Sequence, residues 1–166
     1  MVDLRAAIVT VSDRVSRGES DNHSGPAAVD ALESLGFEVS VCRVVPDGID
    51  SVELVLTELV GMVDLVVTTG GTGFTQRDLT PEATLRVVER EAPGLAEAMR
   101  SATFGVNPHG MLSRGVAGIA GSTLIINLPG SVGGVRDSLE AISLALRHGV
   151  ELLRNPLSGH NSPLSS

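Results

Sequence analysis

From Asp64 to Pro81 the chain reads Asp-Leu-Val-Val-Thr-Thr-Gly-Gly-Thr-Gly-Phe-Thr-Gln-Arg-Asp-Leu-Thr-Pro, and no other stretch limits the possible fold as tightly. Leu65 to Val67 is short, apolar and rich in β-branched residues, the pattern of an interior strand in a parallel sheet covered on both faces. Gly70, Gly71 and Gly73 follow, free to take positive φ and to bring backbone close to a ligand. Successive N–H groups in such a turn form an anion-binding hollow, so the segment reads as a phosphate cradle; tight strand-to-loop turns also use glycines without binding anything. An acid, Asp78, and a helix start with Thr80 as N-cap and Pro81 at the first helical position favour the cradle.

The rest of the chain continues the strand-to-helix alternation. Ala6 to Val11 reads as a first strand, Pro26 to Leu35 as a helix stopped by Gly36, and Glu38 to Val45 as a second strand. Pro46-Asp47-Gly48 is a turn, and Ile49, Val52, Leu56, Leu59 and Val60 recur at helical spacing. Beyond the glycine turn, Pro93-Gly94 separates two helices, the second running through Met99. Val116 to Ile119 and Thr123 to Asn127 read as strands joined around Gly121, and Val135, Leu139, Ile142, Leu146, Val150 and Leu153 form the stripe of a long last helix. The pattern predicts a three-layer α/β/α fold with an open, mostly parallel sheet and helices on both faces. The length of 166 residues predicts a single domain over 1–154, with 155–166 a disordered tail of Pro, Ser, Gly and Asn. Ligands of such sheets collect beyond the carboxyl ends of the strands. That edge would gather Ser12-Asp13-Arg14, Pro46-Asp47, Gly70 to Asp78 and Leu128-Pro129-Gly130-Ser131.

Composition removes several function classes. A net charge of −8 with no Trp and no Tyr leaves neither the basic surface nor the stacking platform of a nucleic-acid partner. All twelve basic side chains are arginine, which excludes a Walker-type phosphate lysine and a lysine Schiff base. His23, His109, His148 and His160 lack the spacing of a zinc site. Cys42 is the only cysteine, so no intrachain disulfide forms, and a buried strand thiol is its expected role. No apolar run reaches the ~18 residues of a membrane span. The expectation is a soluble, cytoplasmic protein with no membrane or nucleic-acid partner.

Several motifs in order then resemble one family. Thr10-Val11-Ser12-Asp13-Arg14, the Gly-Glu-Ser-Asp loop ending Ser24-Gly25-Pro26, Val45-Pro46-Asp47, Thr69-Gly70-Gly71-Thr72-Gly73, Arg77-Asp78-Leu79-Thr80-Pro81-Glu82-Ala83-Thr84, Leu112-Ser113-Arg114 and Leu124-Ile125-Ile126-Asn127-Leu128-Pro129-Gly130-Ser131 resemble the MoaB/Mog family of molybdenum cofactor biosynthesis over residues 5 to 154. The corresponding gephyrin domain is similar. The resemblance implies a molybdopterin adenylyltransferase, a nucleotidyltransferase that joins the terminal phosphate of molybdopterin to the AMP part of ATP and releases pyrophosphate. It implies Mg²⁺ as cofactor, a homotrimer, and a molybdenum-insertion protein as a further partner.

Site roles follow from the same resemblance. Asp47 and Asp78 match the family's essential acids and are assigned to catalysis, through the metal; as bland alternatives, Asp47 is a good turn residue and Asp78 could accept backbone N–H groups before the next helix. Gly70, Gly71, Thr72 and Gly73 would cradle phosphate. Ser113 and Arg114 would offer a hydroxyl and a fixed cation to the pterin's phosphate or ring edge, or Arg114 would be a surface ion pair. Asn127, Pro129, Gly130 and Ser131 resemble a loop that closes around substrate, with Ser131 alternatively only an N-cap. Ser12 and Asp13 would contact the nucleotide or cap a loop. Arg14, Arg77 and Arg114 would supply the local positive potential that an acidic protein needs to bind two anions. Two positions depart from the pattern: Gly48 stands where relatives have a second acid, and Val132 where a proline commonly follows. A non-catalytic pterin carrier and an oligomeric interaction module are the competing classes, distinguished by whether pyrophosphate is released and whether the substrates bind.

Overall fold

The computed structural model describes residues 3–155; apart from Asn155, the expected tail lies outside the described residues. The elements run β1 (Leu4–Val11), α1 (Asp13–Ser16), α2 (Ser24–Ser34), β2 (Phe37–Val45), α3 (Ile49–Leu59), β3 (Leu65–Thr69), α4 (Thr80–Val87), β4 (Arg90–Glu91), α5 (Pro93–Ser101), a 3-10 helix (Pro108–Leu112), β5 (Ala117–Ala120), β6 (Thr123–Leu128) and α6 (Val132–Arg154). They build one six-stranded sheet in the order β2-β1-β3-β6-β5-β4. The first four strands in that order are parallel, and β5 and β4 add an antiparallel edge.

Every residue of β3 and β6 is buried, as expected of central parallel strands with helices on both faces. Alternation sorts their side chains into two apolar layers. On one face Leu4, Ala6 and Ile8 of β1, Leu65 and Val67 of β3, and Leu124, Ile126 and Leu128 of β6 meet α2, α5 and α6. On the other, Ala7, Val9, Val11, Val66 and Ile125 meet Val52, Val55, Leu56 and Leu59 of α3 and Ala83 of α4. Each fully buried Val, Leu or Ile contributes roughly 1.5–3 kcal/mol relative to leaving it exposed. The long α6 seals its face with Val135, Leu139, Ile142, Leu146 and Val150, a stripe at helical spacing.

The structure bears on several local expectations. Helix α6 begins at Val132, where the hydroxyl of Ser131 accepts the Gly134 N–H at 3.0 Å, so the departure at position 132 leaves the cap intact. Thr80 is not an N-cap: its hydroxyl donates to the Gly70 carbonyl at 3.0 Å, and Leu79 occupies the cap position. Cys42 is exposed rather than buried, because β2 forms the edge of the sheet and is covered less than its neighbours. The short α1 and the 3-10 helix were not anticipated. Neither was β4, a two-residue strand too short to leave a period in the sequence.

The layer assignment makes a clear prediction on α6. Leu139→Ala, at a position 1 % exposed, should lower unfolding stability by about 2–5 kcal/mol, while Glu140→Ala on the exposed face should change it by less than ~0.5 kcal/mol, as read from urea midpoints.

Candidate functional site

The chain leaves the carboxyl ends of the central strands in alternating directions. After β1 it passes to α2 on one face, after β3 to α4 on the other, and after β6 back to α6 on the first. Strand β3 therefore has a topological switch point on each side, and each opens a crevice. The crevice between β1 and β3 holds a cavity of about 420 Å³ lined by Thr10, Ser12, Asn22, His23 and Thr69. The one between β3 and β6 holds about 410 Å³ and is lined by Gly71, Thr72, Gly73, Asp78, Ser113, Asn127 and Pro129. Gly70, Gly130 and Ser131 line both, so the two cavities meet across the glycine turn.

That turn requires glycine for two reasons. Gly70 and Gly71 have φ of 93° and 68°, and a Cβ would strike the Val11 carbonyl at Gly70 and the Thr80 hydroxyl at Gly71. A Cβ on Gly130 would lie 3.3 Å from the Gly70 Cα, so the loops after β3 and β6 pack backbone against backbone. The turn is tied down by Gly70 N–H to the Leu128 carbonyl at 3.1 Å and by Thr80 N–H to the Gly71 carbonyl at 3.0 Å. The N–H groups of Gly71, Thr72 and Gly73 find no acceptor among the described residues, the hydrogen-bonding state of an anion-binding hollow.

Two carboxylates flank the turn. A Cβ on Gly71 would lie 3.2 Å from Asp47 Oδ1, and one on Gly73 would lie 2.9 Å from Asp78 Oδ2. Each acid spends one oxygen on its own loop: Asp47 Oδ2 accepts Asp13 N–H at 2.8 Å and Asp78 Oδ2 accepts Thr75 N–H at 2.9 Å. The remaining oxygens, Asp47 Oδ1 and Asp78 Oδ1, accept no hydrogen bond among the described residues. Burial pushes the Asp47 carboxyl above its ordinary value, and the charges of Asp13 and Asp78 push the same way against the Asp13 N–H and Arg77. Two hard, under-used oxygens with mutual repulsion suit Mg²⁺, which takes one or two carboxylates and completes its shell with water and phosphate oxygens. Among the described residues no group of three or more His, Cys, Asp or Glu could hold a metal, which disfavours a metal caged entirely by protein.

The remaining polar residues brace these loops. Asp13 accepts Asp47 N–H at 3.1 Å and a forked pair from Arg77, Nε at 3.0 Å and Nη2 at 2.9 Å; Arg77 also donates to the Asp47 carbonyl at 2.6 Å. The Arg77 guanidinium holds the Asp13 carboxyl below its usual range. Arg114 pairs with Glu82, and donates to the Gly73 carbonyl at 2.8 Å and the Asp78 carbonyl at 2.6 Å. It thereby clamps both ends of the loop that carries Asp78. Asn127, 1 % exposed, accepts Val116 N–H at 3.2 Å and donates to Thr68 at 3.0 Å and Thr84 at 2.9 Å. Its side chain is occupied in joining β6 to β3 and α4.

Ten of the fourteen residues expected at the site thus line the β6-side cavity, and Ser12 lines the β1-side one. Asp13, Asp47 and Arg114 line neither, although Asp47 stands against the glycine turn. Arg100, Thr103, Asn107, His109, Asp137 and Ser138 line the β6-side cavity without having been singled out from sequence. Arg100, which follows Met99 at the end of the expected helix, carried no local signal. The polar Asn107-Pro108-His109-Gly110 turn was readable as a loop with ligand chemistry.

Glu82 offers a pH test of the loop brace. Arg114 holds its carboxyl below the usual range, so the pair's contribution is present above the unfolded-state pKa of about 4.3 and is lost as pH falls through the lower folded-state value. The stability advantage of the wild type over Glu82→Gln should be constant from pH 6 to 8 and shrink steadily below about pH 4, measured by guanidinium unfolding at each pH.

Comparison with known proteins shows the family. Residues 7–148 match the family described as "Probable molybdopterin binding domain". The molybdopterin adenylyltransferase of Escherichia coli K12 is 41 % identical over 147 residues, covering 86 % of this chain and 75 % of that protein. Gephyrin of Dictyostelium discoideum is 40 % identical over 159 residues, covering 89 % of this chain. The chain spans only 22 % of the length of that gephyrin and 27 % of the cinnamon protein of Drosophila melanogaster. The crystal structure of the molybdopterin biosynthesis enzyme MoaB from Thermus thermophilus superposes with a TM-score of 0.86 at 45 % identity, covering 90 % of this chain and 96 % of that one. The chain belongs to the molybdopterin-binding MoaB/Mog family of molybdenum cofactor biosynthesis.

Proposed function

We propose that the protein is a molybdopterin adenylyltransferase that converts ATP and molybdopterin to adenylyl-molybdopterin and pyrophosphate. The observation that carries this reading is the pair of cavities meeting at Gly70, Gly130 and Ser131 beside two carboxylates, each with an oxygen open to a ligand. Two phosphate-bearing substrates need two adjoining pockets and a shared wall where phosphates meet. The name of the Escherichia coli relative supports the choice of reaction.

In this reading an oxygen of the molybdopterin phosphate attacks the α-phosphorus of ATP, and the bond to the β-phosphate bridging oxygen breaks. The attacking phosphate is already anionic near neutral pH, so no general base is required. Catalysis reduces to alignment of two anions and neutralisation of the leaving group. The N–H groups of Gly71, Thr72 and Gly73 hold phosphate oxygens without needing to reorganise. Asp47 and Asp78 would hold Mg²⁺, which when bound would supply charge neutralisation on the pyrophosphate. Thr80, Arg77 and Arg114 keep the two acids in place by binding the carbonyls of Gly70, Asp47 and Asp78. Ser12 and Ser113 offer hydroxyls to the ligands in the β1-side and β6-side cavities.

A homotrimer, a cytoplasmic location and delivery to a molybdenum-insertion protein belong to the same reading. Exposed apolar side chains such as Leu54 and the fully exposed Leu144 offer surface for contact between chains, and no helix among the described residues is long and apolar enough to cross a membrane.

Pyrophosphate release from ATP, Mg²⁺ and molybdopterin tests the reading. Asp78→Asn keeps an oxygen for the Thr75 N–H but removes the charge, and should reduce turnover on the order of a hundredfold or more while substrate binding changes little. Chelation of the metal with EDTA should stop turnover and added Mg²⁺ restore it. Molybdopterin binding without pyrophosphate release in the wild type would mark a carrier, and binding of neither substrate an interaction module.

A further inference from the structure

Two of the three arginines expected to attract phosphate are spent elsewhere. Arg77 forks onto Asp13 and reaches the Asp47 carbonyl, and Arg114 is neutralised by Glu82 and wrapped around two carbonyls of the Asp78 loop. Neither lines either of the two cavities. Arg14 lines the β1-side cavity from the exposed surface of α1. Arg100 is the arginine in the wall of the β6-side cavity.

Its surroundings differ from those of Arg77 and Arg114. Arg100 is partly buried, and its Nη1 donates to the carbonyls of Gly115 at 2.8 Å and Ser113 at 3.4 Å. Among the described residues no carboxylate pairs with it, and its Nε and Nη2 donate no hydrogen bond. The guanidinium is therefore steered by two backbone dipoles but keeps its charge and its other donors. Placement is firm, because Ala96 and Met99 fix α5 in the core. The other titratable groups in the same wall are Asp78, Asp137 and His109, so this guanidinium is the cavity's one permanent cation among the described residues. A guanidinium with open donors in a partly desolvated cavity matches a phosphate oxyanion, which it binds through parallel charge-assisted hydrogen bonds.

We infer that Arg100 is the residue that grips the phosphate of the ligand in the β6-side cavity, a role the family resemblance offered to Arg114 beside the alternative of a surface ion pair. The inference rests on the proposed reading only for phosphate being the ligand group. It assigns that cavity an anionic ligand and gives α5, rather than the loop at Arg114, the task of drawing it in against the protein's net charge of −8.

The test is calorimetric titration of the full chain with ATP, with inorganic pyrophosphate and with molybdopterin, each at several NaCl concentrations. Arg100→Gln should weaken at least one of the three on the order of tenfold at low salt, and the probe affected identifies the source of the phosphate. The gap to wild type should narrow as salt rises, because screening removes a charge contact but not a loop distortion. Arg100→Lys, which keeps the charge, should recover part of the loss. Arg43→Gln, an equal charge change on the exposed edge strand, should leave all three affinities within about twofold of wild type. Unchanged binding in Arg100→Gln, or a loss equal at every salt concentration, overturns the inference. Pyrophosphate release from the wild type separates the two claims: turnover with Arg100→Gln fully active defeats the inference alone, and salt-sensitive loss of binding without turnover in the wild type defeats the adenylyltransferase reading alone.

Discussion

The site depends on backbone touching backbone at Gly70. On one side its Cα lies against the Val11 carbonyl at the end of β1, and on the other against Gly130 in the loop after β6. A side chain at Gly70 would push apart the loops that three neighbouring strands deliver to this edge. Parallel pairing of β1, β3 and β6 brings the loops level, and the reversal of helix direction at β3 spreads them into two crevices. The glycine contact then keeps the crevices adjoining, with Gly70, Gly130 and Ser131 in the wall of both.

Charge around this wall is arranged in two tiers. Arg77 with Asp13 and Arg114 with Glu82 are ion pairs that also bind main-chain carbonyls, and their net charge is close to zero. Partly exposed pairs of this kind add little stability individually; their consequence is positional, because each fixes a loop bearing Asp47 or Asp78. The charges left for ligands include the two acids, which repel each other, Arg100 on the β6 side and the exposed Arg14 on the β1 side. An acidic chain without lysine in this way keeps an arginine in the wall of each cavity beside a pair of acids.

Much of this was legible in the sequence because it is periodic or punctuated. The buried run at Leu65–Val67, the Val135–Val150 stripe and the Gly-Gly-Thr-Gly turn each carry their structure locally. The edge position of β2 was not legible, since it depends on which strand pairs with which, and so Cys42 was misplaced. Thr80 looked like a cap because Thr-Pro starts helices; the closeness of Gly70, a tertiary fact, redirected its hydroxyl. Ser131 kept its capping role because the requirement there is local. Arg114 was legible as important but not in its partners: an arginine beside a glycine loop looks the same in sequence whether it faces a ligand or Glu82. Arg100 carried no motif, and only the fold brings α5 to the cavity.

The central claim is that two separate ligands sit side by side across the glycine turn. Titrating α,β-methylene ATP, which cannot react, into protein already saturated with molybdopterin in the presence of Mg²⁺ tests it most directly. The nucleotide should still bind, one per chain, with the pterin retained. Displacement of molybdopterin in proportion to nucleotide bound would show one shared pocket and contradict it.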